Sequence, residues 1–139
     1  MTLPTLVAIC AAVQDVVGAV TGIRMAPDTP PEQSAISDVM GYCYPGTGAF
    51  TEITTGRASG RHTLHLVILT PRRHLRTDYA RIIGLGDTVP RALLTAGTLA
   101  GTTLQINEVR YTFGEMQWGG QAEFGWLFEL DTLSAGTLA

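Results

Sequence analysis

The sequence predicts an α+β domain built on a mainly antiparallel sheet, and three observations carry that prediction. An N-terminal stretch repeats apolar residues at helical spacing, the middle and closing stretches alternate as strands do, and a glycine-interrupted helical pattern lies between them. Helices segregated from hairpin-connected strands give α+β rather than alternating βαβ units. At 139 residues the chain makes a single domain, residues 1–139, with a core of its own.

Taken in order, Thr2-Leu3-Pro4 reads as an N-cap with proline in the first turn. From there Leu6, Ile9, Cys10, Val13, Val16, Val17 and Val20 recur at helical spacing. Val7, Ala8, Ala11 and Ala12 make the other face apolar too, so this helix needs cover on more than one side. Either the rest of the monomer or a neighbouring subunit meets that need. Gly18 and Gly22 end the helix, and Pro27, Pro30 and Pro31 make residues 28–37 a loop. Residues 39–44 and 50–55 read as strands separated by Pro45-Gly46-Thr47-Gly48, with residues 56–60 as a loop tip. Residues 61–70 form the clearest strand. Leu64, Leu66 and Ile68 line one face and Val67 and Leu69 the other, which makes it a central strand.

Leu75, Tyr79, Ile82 and Ile83 then form an amphipathic stripe that Gly84 and Gly86 interrupt. Asp87 caps a second short helix over residues 88–96, with Pro90 in its first turn. The expectation is therefore a central broken helix pair, packed with the N-terminal helix on the sheet. In the closing hairpin, Leu104, Ile106, Val109, Tyr111 and Phe113 slip phase by one residue at Asn107-Glu108, the mark of a bulge. Gly119-Gly120 signals the turn. Phe124, Trp126, Phe128 and Leu130 then alternate with Gly125, Leu127, Glu129 and Asp131, and residues 134–139 read as a frayed tail.

Apolar residues make up 45% of the chain and charged residues 15%, against about 25% charged in an average domain. Contact cores between proteins are depleted in charge, so the shortage predicts that part of the surface is covered by protein. A net charge of −3 gives no basic field for holding nucleic acid. All nine basic residues are arginine, which follows either from the base composition of the source genome or from a use of forked contacts to carboxylates. Cys10 and Cys43 lack zinc spacing and read as buried, reduced thiols of a product made in the cytoplasm. The apolar start has no basic lead and is interrupted by Gln14, Asp15 and Gly18, so neither a secretory signal nor a membrane span is expected.

The residues offer little chemistry. His62 and His65, three apart on a strand, point to opposite faces and cannot share a metal; His74 lies in the basic turn that follows. Gly84-Leu85-Gly86-Asp87 lacks the third glycine and the lysine of a nucleotide loop, and no G-x-S-x-G motif occurs. No catalytic, cofactor-binding or metal-binding residue is assigned, and the chain is not read as an enzyme. Two groups of arginines are candidate contacts instead. Arg72, Arg73 and Arg76 crowd the start of the second helix, where positive charge opposes the helix dipole. They form either a solvated face beside Asp78 or a docking patch for acidic groups. Arg57 and Arg61 flank the expected loop tip, which is either an ordinary hairpin or an arm that orders on a partner or lines a channel.

An apolar helix, the loop bearing Pro27 to Pro31, a β-hairpin, the strand Leu64-His-Leu-Val-Ile-Leu69, a broken helix pair and a closing hairpin follow one another. The hairpin from Val109-Arg-Tyr-Thr-Phe113 through Gly119-Gly120 to Phe124-Gly-Trp-Leu-Phe-Glu-Leu130 is the strongest part of that pattern. Over almost the whole chain it resembles the tail terminator (tail completion) proteins of bacteriophages with long, non-contractile tails. The resemblance implies a structural virion protein in the neck region that forms a hexameric ring at the head-proximal end of the tail tube. Its implied partners are further copies of itself, the tail tube protein and the head–tail connector or stopper. Genomic DNA would pass through the lumen without sequence-specific binding. The family has no active-site motif, so no catalytic residue carries over. Other neck or tail components (head-completion, stopper or tube proteins) have similar sizes and are the nearest alternative. A small ligand-binding or enzymatic α+β domain is the alternative of a different class.

Overall fold

The computed structural model describes residues 2–27, 38–70, 75–96, 104–118 and 121–138, with the side chains of residues 75–78, 118 and 121–123 excepted. The loop expected at 28–37, the basic turn at 71–74 with His74, and the turn at Gly119-Gly120 lie outside the described residues.

The elements in chain order are α1 (Leu6–Gly18), β1 (Met40–Thr54), β2 (Arg57–Thr70), α2 (Leu75–Thr95), β3 (Gln105–Trp118) and β4 (Gln121–Thr137). The four strands form one sheet in the order β1-β2-β4-β3, antiparallel at every pairing. The architecture is thus α+β and mostly sheet. β2 is central, pairing with β1 on one side and along its full length with β4 on the other.

Period-two alternation sorts the core. Leu64, Leu66 and Ile68 of β2 join Trp126, Phe128 and Leu130 of β4 in one cluster with Ile9, Val13 and Val17 of α1 and Ile82, Leu85, Val89 and Leu93 of α2. Each large side chain buried there stabilises the fold by about 1.5–3 kcal/mol. A smaller cluster of Met40, Tyr42, Val67 and Leu69 occupies the opposite face, where Met25, Met116 and Leu127 pack on it. β2 is therefore covered on both faces over its second half, as its sequence predicts. The phase slip near Asn107 is also present, as a register shift between Ile106 and Glu108.

α1 sits directly on β1 because Gly41 has no side chain: a Cβ there would lie 2.6 Å from Val17 Cγ1. Gln14, buried in the same contact, donates through Nε2 to the carbonyls of Pro27 (2.7 Å) and Gly41 (3.2 Å) and so ties the helix to the start of β1. The cap is Thr5 rather than Thr2. Thr5 Oγ1 accepts from Ala8 N–H at 3.1 Å, whereas Thr2 forms a bridge with Thr137.

Three expectations are corrected. The broken helix pair is one helix, α2, which runs through Gly84, Gly86 and Pro90. Its buried stripe is Ile82, Leu85, Val89 and Leu93, while Tyr79 and Ile83 are exposed. Thr88 Oγ1 donates to Gly84 O at 3.0 Å, and the Trp126 indole N–H donates to Ile82 O at 2.7 Å, so contacts from outside the backbone ladder hold the glycine-bearing turn. The loop tip at 56–60 shrinks to the turn at Thr55 and Gly56, because Ala58 and Gly60 continue β2 and are buried. Gly56 takes φ +80°, a conformation open to glycine at little cost. Finally, residues 134–137 do not fray. They pair with β2 from Gly60 to Arg57, Leu3 N–H donates to Thr137 O at 2.8 Å, and Ser134 is buried.

Candidate functional site

The surface features that distinguish this chain are its two sheet edges and the apolar residues beside them. Sheet order leaves β1 and β3 outermost, and an outermost strand presents a row of unpaired N–H and C=O groups. The start of β1 is covered: Arg24 and Met25 donate to Val39 O, and Gly41 N–H donates to Met25 O. Beyond that, among the described residues no strand lies on the outer side of β1 or of β3. Pro45, which has no N–H, and the register shift between Pro45 and Gly48 interrupt the β1 edge. From Ala49 to Thr54 every residue of that strand is exposed.

Large apolar side chains accompany this edge. Phe50 and Ile53 are each 56% exposed on the outer half of β1, and Val7, on the first turn of α1, is 81% exposed. Val7 belongs to the second apolar face of α1 that the sequence singled out, so the monomer leaves part of that face uncovered. On β3, Tyr111 is exposed while its ring meets Trp126 edge-on, with centroids 5.4 Å apart. Sequence reading did not find Phe50 or Ile53, since alternation alone does not say that a strand projects past the helices.

Arg57 and Arg61 lie on β2, four residues apart and hence on one face, the face turned away from the helices; both are exposed. Neither pairs with a carboxylate among the described residues. They stand on a regular strand, not on a flexible tip, so the structure places them in a sheet surface. Arg72 and Arg73 lie outside the described residues, and Arg76 falls within α2 with its side chain outside them.

On the same sheet face Arg110 of β3 lies among three carboxylates. It donates to Asp131, to Glu129 (3.3 Å) and to Glu108 (3.1 Å), and Thr63 Oγ1 donates to Asp131 Oδ1 at 3.0 Å. The guanidinium holds the Asp131 carboxyl below the usual carboxylate range, and the carboxylates push Arg110 up. All four charged groups are substantially exposed, so solvent screens the network and it adds little to stability.

The histidines behave as the strand period requires. His65 stacks on Tyr44 on one face, with centroids 5.3 Å apart. His62 is buried on the other, meets Phe50 edge-on at 4.8 Å, and burial lowers its pKa, which favours the neutral ring. Among the described residues, no three His, Cys, Asp or Glu side chains are close enough to hold a metal ion. No helix among them is long and apolar enough to cross a membrane.

Comparison with models of protein families gives no match, and comparison with curated proteins gives none either.

Proposed function

We propose that this protein is a ring-forming structural subunit of a phage tail, a tail terminator that closes the head-proximal end of the tail tube. In this reading further copies complete a hexameric ring, the tube protein and the head connector or stopper contact its two faces, and DNA passes through the lumen. The protein acts in the virion neck and performs no catalysis.

One observation supports the reading most directly: the two open edges of the sheet are not alike. A ring needs a heterologous interface, in which one patch of a subunit meets a different patch of the next. β1 offers an exposed strand with Phe50 and Ile53 beside the uncovered Val7, and β3 offers a second, charged edge at the far side of the sheet. A chain with 15% charged residues is suited to losing such surface to contact. The net charge of −3 suits a lumen through which DNA slides without sticking, because phosphate affinity grows with the number of cation contacts.

The variants Val7→Asp and Ile53→Asp test the β1 side. Both residues are exposed, and an aspartate at position 7 sits in the first turn of α1, where negative charge is favourable. Each variant is expected to melt within about 0.5 kcal/mol of wild type, as surface substitutions do. Each should nevertheless fail to form rings in sedimentation or electron microscopy. Normal rings from both variants would contradict the use of this edge.

A further inference from the structure

The sheet face turned away from the helices carries its charge unevenly. Arg57 and Arg61 stand on its β1 side, exposed and without a carboxylate partner among the described residues. Toward the β3 edge, Arg110 alone faces Glu108, Glu129 and Asp131, and three carboxylates less one guanidinium leave two negative charges in excess. The pairings Thr63↔Asp131, His65↔Glu129 and Glu108↔Asp131 put that cluster on the face that holds Arg57 and Arg61. Arg61 is a diagonal neighbour of Asp131 across the β2–β4 pairing, yet the two form no ion pair, because Arg110 already holds both Asp131 oxygens. The two patches are thus opposite in sign, equal in size and unsatisfied by each other within one copy.

The backbone lets two copies satisfy them. Four antiparallel strands leave the edges β1 and β3 running in opposite directions. A second copy set beside the first, helices on the same face, therefore brings its β3 antiparallel to β1, where ladder hydrogen bonds form. Pro45 and the register shift after it interrupt the first half of β1, so the open stretch is Ala49 to Thr54. Arg61 and Arg57 flank that same stretch, paired with Ala49 and Thr54, whose small side chains leave room for the guanidinium groups to lean outward. A strand added there lies two spacings from β2, roughly 10 Å, a gap that an arginine and a glutamate bridge from either side. The carboxylates sit further from the β1–β2 turn than the arginines do, so their meeting staggers one sheet against the next. Closing strands into a ring requires such a stagger. We propose that Arg57 and Arg61 of one copy hold the cluster of Glu108, Glu129 and Asp131 of the next, across an antiparallel β1–β3 junction. The proposal rests on the ring reading above and names the two unlike patches of its interface.

The test is a charge swap in the full-length protein, read as ring formation in solution or on tail-tube ends. One double variant carries Arg57→Glu and Arg61→Glu, the other Glu108→Arg and Glu129→Arg. Each has patches of one sign at both edges, so neither should form rings by itself. Mixed in equal amounts they should form rings, and native mass spectrometry should find equal numbers of the two in each ring. A measurement that needs no variant to fold accompanies it: raising sodium chloride from about 0.05 M to about 0.5 M should shift wild-type assembly to higher protein concentration, because salt screens exposed charges. Rings from either variant alone, no rings from the mixture, or wild-type assembly indifferent to salt overturns this contact while leaving the ring reading in place. A wild type that forms no ring, in solution or on tubes, overturns both.

Discussion

Gly125→Ala is expected to destabilise the protein by about 3 kcal/mol, at the upper end of overpacking effects and sometimes beyond them. A Cβ on Gly125 would lie 1.8 Å from Ile68 O, 2.9 Å from Ile68 C and 3.1 Å from Leu69 Cα. All three are backbone atoms of β2, the strand that β4 pairs with, so no side chain can rotate away. Relief requires β4 to move off β2 near the Phe124 end of their register, next to Trp126 and Ile68 in the core. A glycine inside a strand marks such a close approach of backbones. In a domain whose total stability is about 5–15 kcal/mol this is a large fraction. The expected reading is a drop in thermal midpoint on the order of 10 °C, followed by circular dichroism. A drop of a degree or two would mean that the two strands are not this close.

The second large effect is a reversal of sign between two glycines of α2. At Gly84 a Cβ would meet nothing within 4 Å, so Gly84→Ala gains helix propensity and should stabilise by up to about 1 kcal/mol. At Gly86, two residues on, a Cβ would lie 2.2 Å from Trp126 Cζ2. That ring is not free to yield, because its N–H is bonded to Ile82 O and its faces pack against Phe113 and Phe128. Gly86→Ala should therefore destabilise by about 1–3 kcal/mol. In a Trp126→Leu background the penalty should largely vanish, since the clash and its partner are removed together. Urea unfolding of the single and double variants measures this coupling. Equal effects at Gly84 and Gly86 would contradict the packing of Trp126 on the helix.

These two glycines also show where sequence reading succeeded and where it did not. The alternation of Phe124, Trp126, Phe128 and Leu130 was legible because a strand half in the core must repeat every second residue, and β4 places all four on one face. The central position of β2 was legible from Val67 and Leu69, apolar on the face that a one-sided strand would leave polar. The continuity of α2 was not legible. Locally, Gly84, Gly86 and Pro90 all argue for a break, and the interaction that offsets them comes from Trp126, 44 residues beyond Ile82. Propensity sees only neighbours in sequence.

The same limit applies at the end of the second hairpin. Ser134 to Gly136 have the composition of a tail, yet they lie opposite Gly60 to Ala58, where small residues let the strands and the N-terminal segment come together. For the candidate site, the apolar second face of α1 was the useful signal, and Val7 stands on it exposed. Arg61 stands on the strand expected for it, whereas Arg57, expected in the loop tip, begins β2. Arg72, Arg73 and Arg76 still require their own test, charge reversal of all three, with tail assembly and infectivity as the reading.

The central claim is that this chain is a ring subunit that caps a tail tube. Its most direct test is the mass of the purified protein in solution, alone and mixed with tail tubes. The account predicts a hexamer, or a monomer that becomes a ring only at tube ends. A monomer that stays monomeric at every concentration and ignores the tubes would contradict it.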